Sequence, residues 1–408
     1  MVAAAISLVL FYVALRRYGA ILTWMDATSA IGASTQLCGP AAAGVAAYCG
    51  SRALRRRTAT RHQLGARAEL ASTGSELFAY AVWVVGTWLV AVAVTLVAVW
   101  HNCHWGHPNF VWILASGAGL VAEIAVGYFF GRLVPLVITP PVVAVAFFTG
   151  TGLLLSHVNA WWYFLSPLNS QLWLPFDDVR TSNFGLQAVF LMGIALAAGA
   201  AAAARLARSE RASLLTLAVA LFASVVAAAG LAGGDGGFWK IDTHIEWDCS
   251  GQSPTVCVHP SFVAVHTQLN QQLSAVAAKT AGTPFQVDRF EHRPRGIGSQ
   301  PSPGAAAFAM DVPVAAAIPD AAVAATVSLL NADSCQSAAK LSSARVEQAV
   351  VEWVSGQTVF GPDQSMLDPA ADAIVRDFNR LSDHAKHGWL TQHAEAIRSC
   401  SFVVTERR

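Results

Sequence analysis

The hydrophobic pattern of this chain is set by long stretches from which charge is missing. From Phe78 to Trp100 the run FAYAVWVVGTWLVAVAVTLVAVW contains no Asp, Glu, Lys or Arg. A helix needs roughly 20 such residues to cross a hydrocarbon core about 30 Å thick. Comparable runs recur through the first 230 residues and predict membrane helices near 2–23, 30–50, 75–100, 109–131, 134–156, 185–206 and 212–231. The first is the weakest of these, because Arg16 and Arg17 interrupt it.

Beyond residue 231 the pattern becomes that of a folded polar domain. After Pro260, Phe262, Val265, Leu269, Leu273 and Val276 recur at spacings of three and four, the signature of an amphipathic helix. Short strands are expected at 284–291 and 305–312, around RPRGIGSQPSPG, with further helices at 319–331, 341–355, 368–381 and 384–399. The expected fold class is an α-helical polytopic membrane bundle of about seven transmembrane helices. A mixed α/β, helix-dominated extracytoplasmic domain follows it. The boundary divides 1–231, the transmembrane domain, from 232–408.

Composition agrees. The chain is 54% hydrophobic and 12% charged, about half the charge of an ordinary soluble domain. The net charge of +1 gives no reason to expect a nucleic-acid partner. The positive charge is clustered: Arg52, Arg55, Arg56, Arg57, Arg61 and Arg67 share one loop, and Arg205, Arg208 and Arg211 another. Basic short loops mark the cytoplasmic side, which puts the N-terminus inside and residues from 232 outside the plasma membrane. Residues 51–74 read as a basic amphipathic cytoplasmic helix, facing lipid or a docked subunit. Loop 157–184, with Trp161, Trp162, Tyr163, Phe164 and Trp173, reads as an interfacial aromatic belt or a short re-entrant helix.

Candidate chemistry is sparse. There is no G-x-x-x-x-G-K-[ST], H-E-x-x-H, G-x-S-x-G or C-x-x-C, so the chain reads as a non-enzyme with no directly bound cofactor. His101, Cys103, His104 and His107 concentrate imidazole and thiol in one loop and form a candidate metal site, against the plainer reading of a polar loop. Glu123 is the acidic residue deep in a hydrophobic run. Such a carboxyl either serves a proton or substrate, or is neutral and hydrogen-bonded to a neighbouring helix. On the same helix Gly127 and Gly131 form G-x-x-x-G, which permits close helix approach within or between chains. His384 and His387 share a helix face and read as a surface pair. Cys38 and Cys49 read as packing residues. Cys249, Cys257, Cys335 and Cys400 lie in the exported part, where two disulfides are expected. Three pairings exist, and the short spacing favours Cys249–Cys257, leaving Cys335–Cys400.

Several short segments carry a resemblance. GPAAAGVAAYCGSRALRRRTATRHQL before the Phe78–Trp100 run, Gly131-Arg132-Leu133 before Val134-Pro135, Cys249, Val256-Cys257-Val258-His259-Pro260 and Gly388-Trp389-Leu390 before Ser399-Cys400 are the relevant ones. The chain resembles actinobacterial ABC-transporter permeases of the type-2 exporter class. The resemblance implies a permease that pairs with a second permease copy or a homologue in the lipid bilayer. It also implies a cytoplasmic ABC ATPase docked at Arg55, Arg56, Arg57 and Arg61, so that ATP acts through a partner. The alternative expectation is a membrane-anchored binding or sensor module on a non-transporting scaffold.

Overall fold

The computed structural model describes residues 23–55, 66–100, 103, 105–155, 160–166, 176–204, 210–234, 237, 239–241, 245–294, 302, 304–330, 341–359 and 369–399. They fall into two compact units, one within Met1–Trp173 and Asp177–Ile241, the other within Leu174–Phe176 and Asp242–Arg408.

The first unit is a helical bundle: α1 (Trp24–Arg55), α2 (Ala66–Trp100), α3 (Phe110–Leu133), α4 (Thr139–Leu155), α5 (Thr181–Ala204) and α6 (Glu210–Gly233). Among the described residues, four helical segments are long and apolar enough to cross a membrane: Gly74–Trp100, Phe110–Leu133, Thr181–Ala202 and Leu214–Gly233. They mark the chain as a membrane protein. This is fewer than the seven spans expected, for physical reasons. α4 is apolar but short, because Val134 caps α3 and helix resumes only at Thr139, where Pro140 and Pro141 suit a first turn. α1 is more polar, burying Thr28, Ser29, Ser34 and Thr35. Local bonds satisfy several of these hydroxyls, such as Thr28 Oγ1 to the Trp24 carbonyl (2.8 Å) and Ser34 Oγ to that of Ile31 (2.6 Å). The expected span 2–23 lies outside the described residues.

The expected amphipathic helix 51–74 is divided differently: 51–55 close α1 and 66–74 open α2, while 56–65 lie outside the described residues. In the aromatic loop one ring turns inward. Phe164, in a 3₁₀ turn (Ala160–Leu165), is fully buried and meets Phe184 of α5 edge-on at 5.8 Å. Trp112 of α3 stacks on Phe184 at 4.8 Å, so these rings build the bundle core. Strands β1 (Asp177–Val179) and β2 (Trp239–Ile241) pair antiparallel.

The second unit is one core under a four-stranded mixed sheet. Its strands are β3 (Asp248–Ser250), β4 (Thr255–Val258), β5 (Arg289–His292) and β6 (Ala305–Phe308), in that order. β3 and β4 form an antiparallel hairpin; β4, β5 and β6 run parallel. A parallel pair needs a crossover, and α7 (Val263–Thr280) supplies it between β4 and β5. As its spacing predicts, α7 buries Val265, Leu269, Leu273 and Val276. Helices α8 (Ile318–Leu330), α9 (Leu341–Ser355), α10 (Pro369–Arg380), α11 (Asp383–Gln392) and α12 (Ala394–Arg398) complete the core with Ala325, Val350, Phe378 and Ile397. The expected helix 384–399 is thus two helices, broken at His393. β3 and β4 escaped sequence reading because neither is long enough to show alternation.

Candidate functional site

α1 and α3 form a seam of small residues. Glu123, Gly127 and Gly131 recur every four residues on α3 and so share one face. They meet Gly39, Ala43 and Ala47, spaced alike on α1, and because the pairs advance together the two helices run in the same direction. A Cβ at Gly127 would lie 2.8 Å from the Ala43 carbonyl carbon, and one at Gly131 2.7 Å from that of Ala47. The G-x-x-x-G signal is therefore spent on packing inside the chain.

Glu123 is held at one end of this seam, 1% exposed. A Cβ at Gly39 would stand 2.6 Å from its Cδ and overlap Oε2, so glycine is what admits the carboxyl. Among the described residues neither carboxyl oxygen has a hydrogen-bond partner, so of the two expectations the bond to a neighbouring helix is not seen. An unpaired ion in hydrocarbon costs roughly 3 kcal/mol, so this is an expensive place for a charge.

At the other end of the seam the polar groups are paired. Arg132 Nε donates to Tyr128 Oη (3.1 Å), and that hydroxyl donates to Glu76 Oε2 of α2 (3.3 Å). Tyr80 Oη donates to the Ala42 carbonyl at 3.1 Å. Arg132, legible in sequence only as a loop charge, thus ties α3 to α2.

A cavity of about 1020 Å³ lies between α2, α3, α5 and α6. Trp88, Ile113, Met192 and Val219 line it, Thr216 adds a hydroxyl, and among the described residues no charged one lines it. Rim residues Leu89, Leu114, Leu196 and Leu215 are at least half exposed. In a bilayer such a rim faces hydrocarbon, so the cavity suits an apolar ligand arriving sideways. Sequence alone could not find it, since its residues come from four helices.

The remaining sequence candidates scatter. Cys103 Sγ contacts the Trp105 carbonyl (3.2 Å), and the exposed His107 Nδ1 sits 3.4 Å from the Pro108 carbonyl; His101 and His104 lie outside the described residues. Among the described residues no three His, Cys, Asp or Glu side chains gather as metal ligands. Arg55 ends α1, and Arg56, Arg57 and Arg61 lie outside the described residues. Cys38 and Cys49 remain thiols. Cys249 and Cys257 face each other across β3 and β4 and are joined, whereas Cys335 and Cys400 lie outside the described residues. His384 is exposed, while the His387 ring meets Trp353 edge-on at 5.7 Å.

The second unit also holds an arrangement that no motif announced. His266 Nδ1 lies 3.0 Å from Asp248 Oδ2, and its Nε2 lies 2.9 Å from Ser250 Oγ. This is the order of a nucleophile, base and orienting acid. The same Nε2 lies 3.0 Å from the Val256 carbonyl. That acceptor competes with the serine, and the cluster fastens the β3–β4 hairpin to α7.

Nearby, Phe176, His259, Phe262 and Phe308 surround the fully buried His292. Its Nε2–H donates to the Met310 carbonyl (2.8 Å), and its Nδ1 accepts from the His259 amide (3.4 Å). Burial pushes this imidazole down to about 3, against a smaller opposing effect of the Met310 carbonyl, and nearby His259 lowers it further.

Comparison with known sequence families, characterised proteins and solved structures finds no match to this chain.

Proposed function

We propose that the chain is the membrane permease subunit of an ABC-type transporter that moves an apolar or amphiphilic substrate and draws on a separate cytoplasmic ATPase. The observation that carries the reading is the apolar cavity of about 1020 Å³ between α2, α3, α5 and α6. A ligand with a hydrocarbon body would enter from the bilayer across the leucine rim. The chain lacks a phosphate-binding loop, which assigns ATP hydrolysis to a partner, docked in this reading at Arg55, Arg56, Arg57 and Arg61. A second permease copy or a homologue completes the path. Residues from 232 onward then lie outside the cell.

The test is purification from the native membrane together with the products of neighbouring genes. An ATPase is expected to co-purify and to be lost when Arg55, Arg56 and Arg57 are all replaced by Ala. Met192→Trp, which fills the cavity, is expected to reduce export. Absence of any ATPase, with export unchanged in both variants, would sink the proposal.

A second reading, a membrane-anchored binding or sensor module, is favoured by one observation. The second unit has a complete hydrophobic core of its own, from Val256 to Ile397. An intact ligand response after cavity filling would favour this reading.

A further inference from the structure

The α1–α3 seam contains a carboxyl that meets no hydrogen-bond partner among the described residues. Glu123 is enclosed, both its oxygens lack partners among the described residues, and Gly39 has no side chain where the carboxyl sits. Pro40 follows inside α1. A proline withholds one helix hydrogen bond and crowds the preceding turn, so α1 is weakest where it meets the carboxyl.

The surroundings exclude a counterion among the described residues. Cys38, the buried thiol beside Gly39 on α1, carries no positive charge. α4 and α5, which also pack on α3, contain no ionisable residue, and α2 has none from Ala81 to Trp100. The α2 residues Glu76 and Tyr80 are engaged by Tyr128 and Ala42, and Arg132 by Tyr128. A metal cation would need several oxygen ligands, whereas a proton needs one. As a packing residue a carboxyl offers nothing that Gln or Leu lacks, except the ability to ionise.

The geometry points to Glu123 as an exchangeable proton-binding site that locks α1 against α3. With the proton on the carboxyl the seam is closed. When the proton leaves for water, the carboxylate has no partner in the seam, and the helices separate at Gly39 and Pro40. The step is a proton transfer alone, and it does not depend on what the protein transports.

The experiment uses the full chain in phosphatidylcholine nanodiscs from acid to alkaline pH. Infrared difference spectra follow the carboxylic-acid carbonyl band, assigned by its absence in Glu123→Gln. Amide hydrogen exchange of α1 and α3 peptides, corrected for its intrinsic pH dependence, follows the seam. The acid band is expected to vanish reversibly as pH rises. Seam exchange is expected to accelerate by about tenfold in wild type and to stay flat in Glu123→Gln.

A band that persists wherever the protein is folded would overturn the proposal, and so would equal acceleration in both proteins. If Glu123→Gln does not assemble, wild type decides with dicyclohexylcarbodiimide, an apolar reagent that modifies protonated carboxyls. Labelling of Glu123 that falls as pH rises supports the site; labelling that is absent or independent of pH refutes it.

Discussion

Gly127 on α3 lies so close to Ala43 on α1 that an added Cβ would sit 2.8 Å from the Ala43 carbonyl carbon. The obstacle is backbone, which cannot rotate aside as a side chain can. Gly127→Ala is therefore expected to force the helices apart and lower stability by about 1–3 kcal/mol. Gly86 of α2 has nothing within 4 Å of a Cβ, so Gly86→Ala should be neutral or slightly stabilising through helix propensity. Thermal unfolding in detergent compares the two. Equal melting of Gly127→Ala and wild type would show that the seam is looser than described.

The Cys249–Cys257 bond staples a hairpin of two short strands. Strands this short hold poorly by themselves. The closed loop is small, and chain entropy assigns it about 2.5 kcal/mol. Replacing both cysteines by Ser is expected to lower stability of the second unit by that order, followed by tryptophan fluorescence in denaturant. Non-reducing mass mapping should recover the linked peptide and tests whether Cys335 pairs with Cys400. No change on reduction would mean that the core of α7 and the sheet suffices.

How far the sequence could be read depended on how local each determinant is. The α7 stripe and the hydrophobic runs of α2, α3, α5 and α6 are set by neighbouring residues, and they were legible. The start of α1 was signalled too, but the apolar run at 2–23 obscured it. Thr23 and Asp26 form a reciprocal cap, Asp26 N to Thr23 Oγ1 at 3.0 Å and Thr23 N to Asp26 Oδ2 at 3.2 Å. The cavity, the approach of Glu123 to Gly39 and the ring cluster at His292 join residues far apart in the chain. No window along one sequence contains them. Phe176, for example, looks like any loop aromatic, yet it is buried at 4.8 Å from His292.

The Asp248–His266–Ser250 cluster allows a direct test against an enzymatic role. Because the Val256 carbonyl competes for His266 Nε2, Ser250 is expected to resist a fluorophosphonate probe. His266→Ala should instead cost about 1–3 kcal/mol of stability, since it removes the bonds that tie Asp248, Ser250 and Val256 to α7. Stoichiometric labelling of Ser250, abolished by His266→Ala, would make the second unit a hydrolase and refute the structural account.

The strongest pH effect is expected from His292. Its folded value is about 3, because burial disfavours the charged ring, while an unfolded histidine titrates near 6.5. Below that pH the unfolded chain binds a proton that the folded chain refuses, so stability must fall as pH falls. The contribution is complete above about pH 6.5 and declines by about 1.4 kcal/mol per pH unit, toward a total of about 5 kcal/mol near pH 3. Glu291 acts in the same direction. Burial pushes its carboxyl up, but hydrogen bonds from Arg293 and Ser302 outweigh this and hold it below the usual range. Its contribution is present above the ordinary carboxylate range and lost as pH drops through the lowered value. The second unit should thus be acid-labile while the membrane bundle holds. Denaturant midpoints between pH 7 and 4 measure the slope, and His292→Gln, although less stable at pH 7, should flatten it. An unchanged slope in that variant would assign the acid sensitivity to other groups.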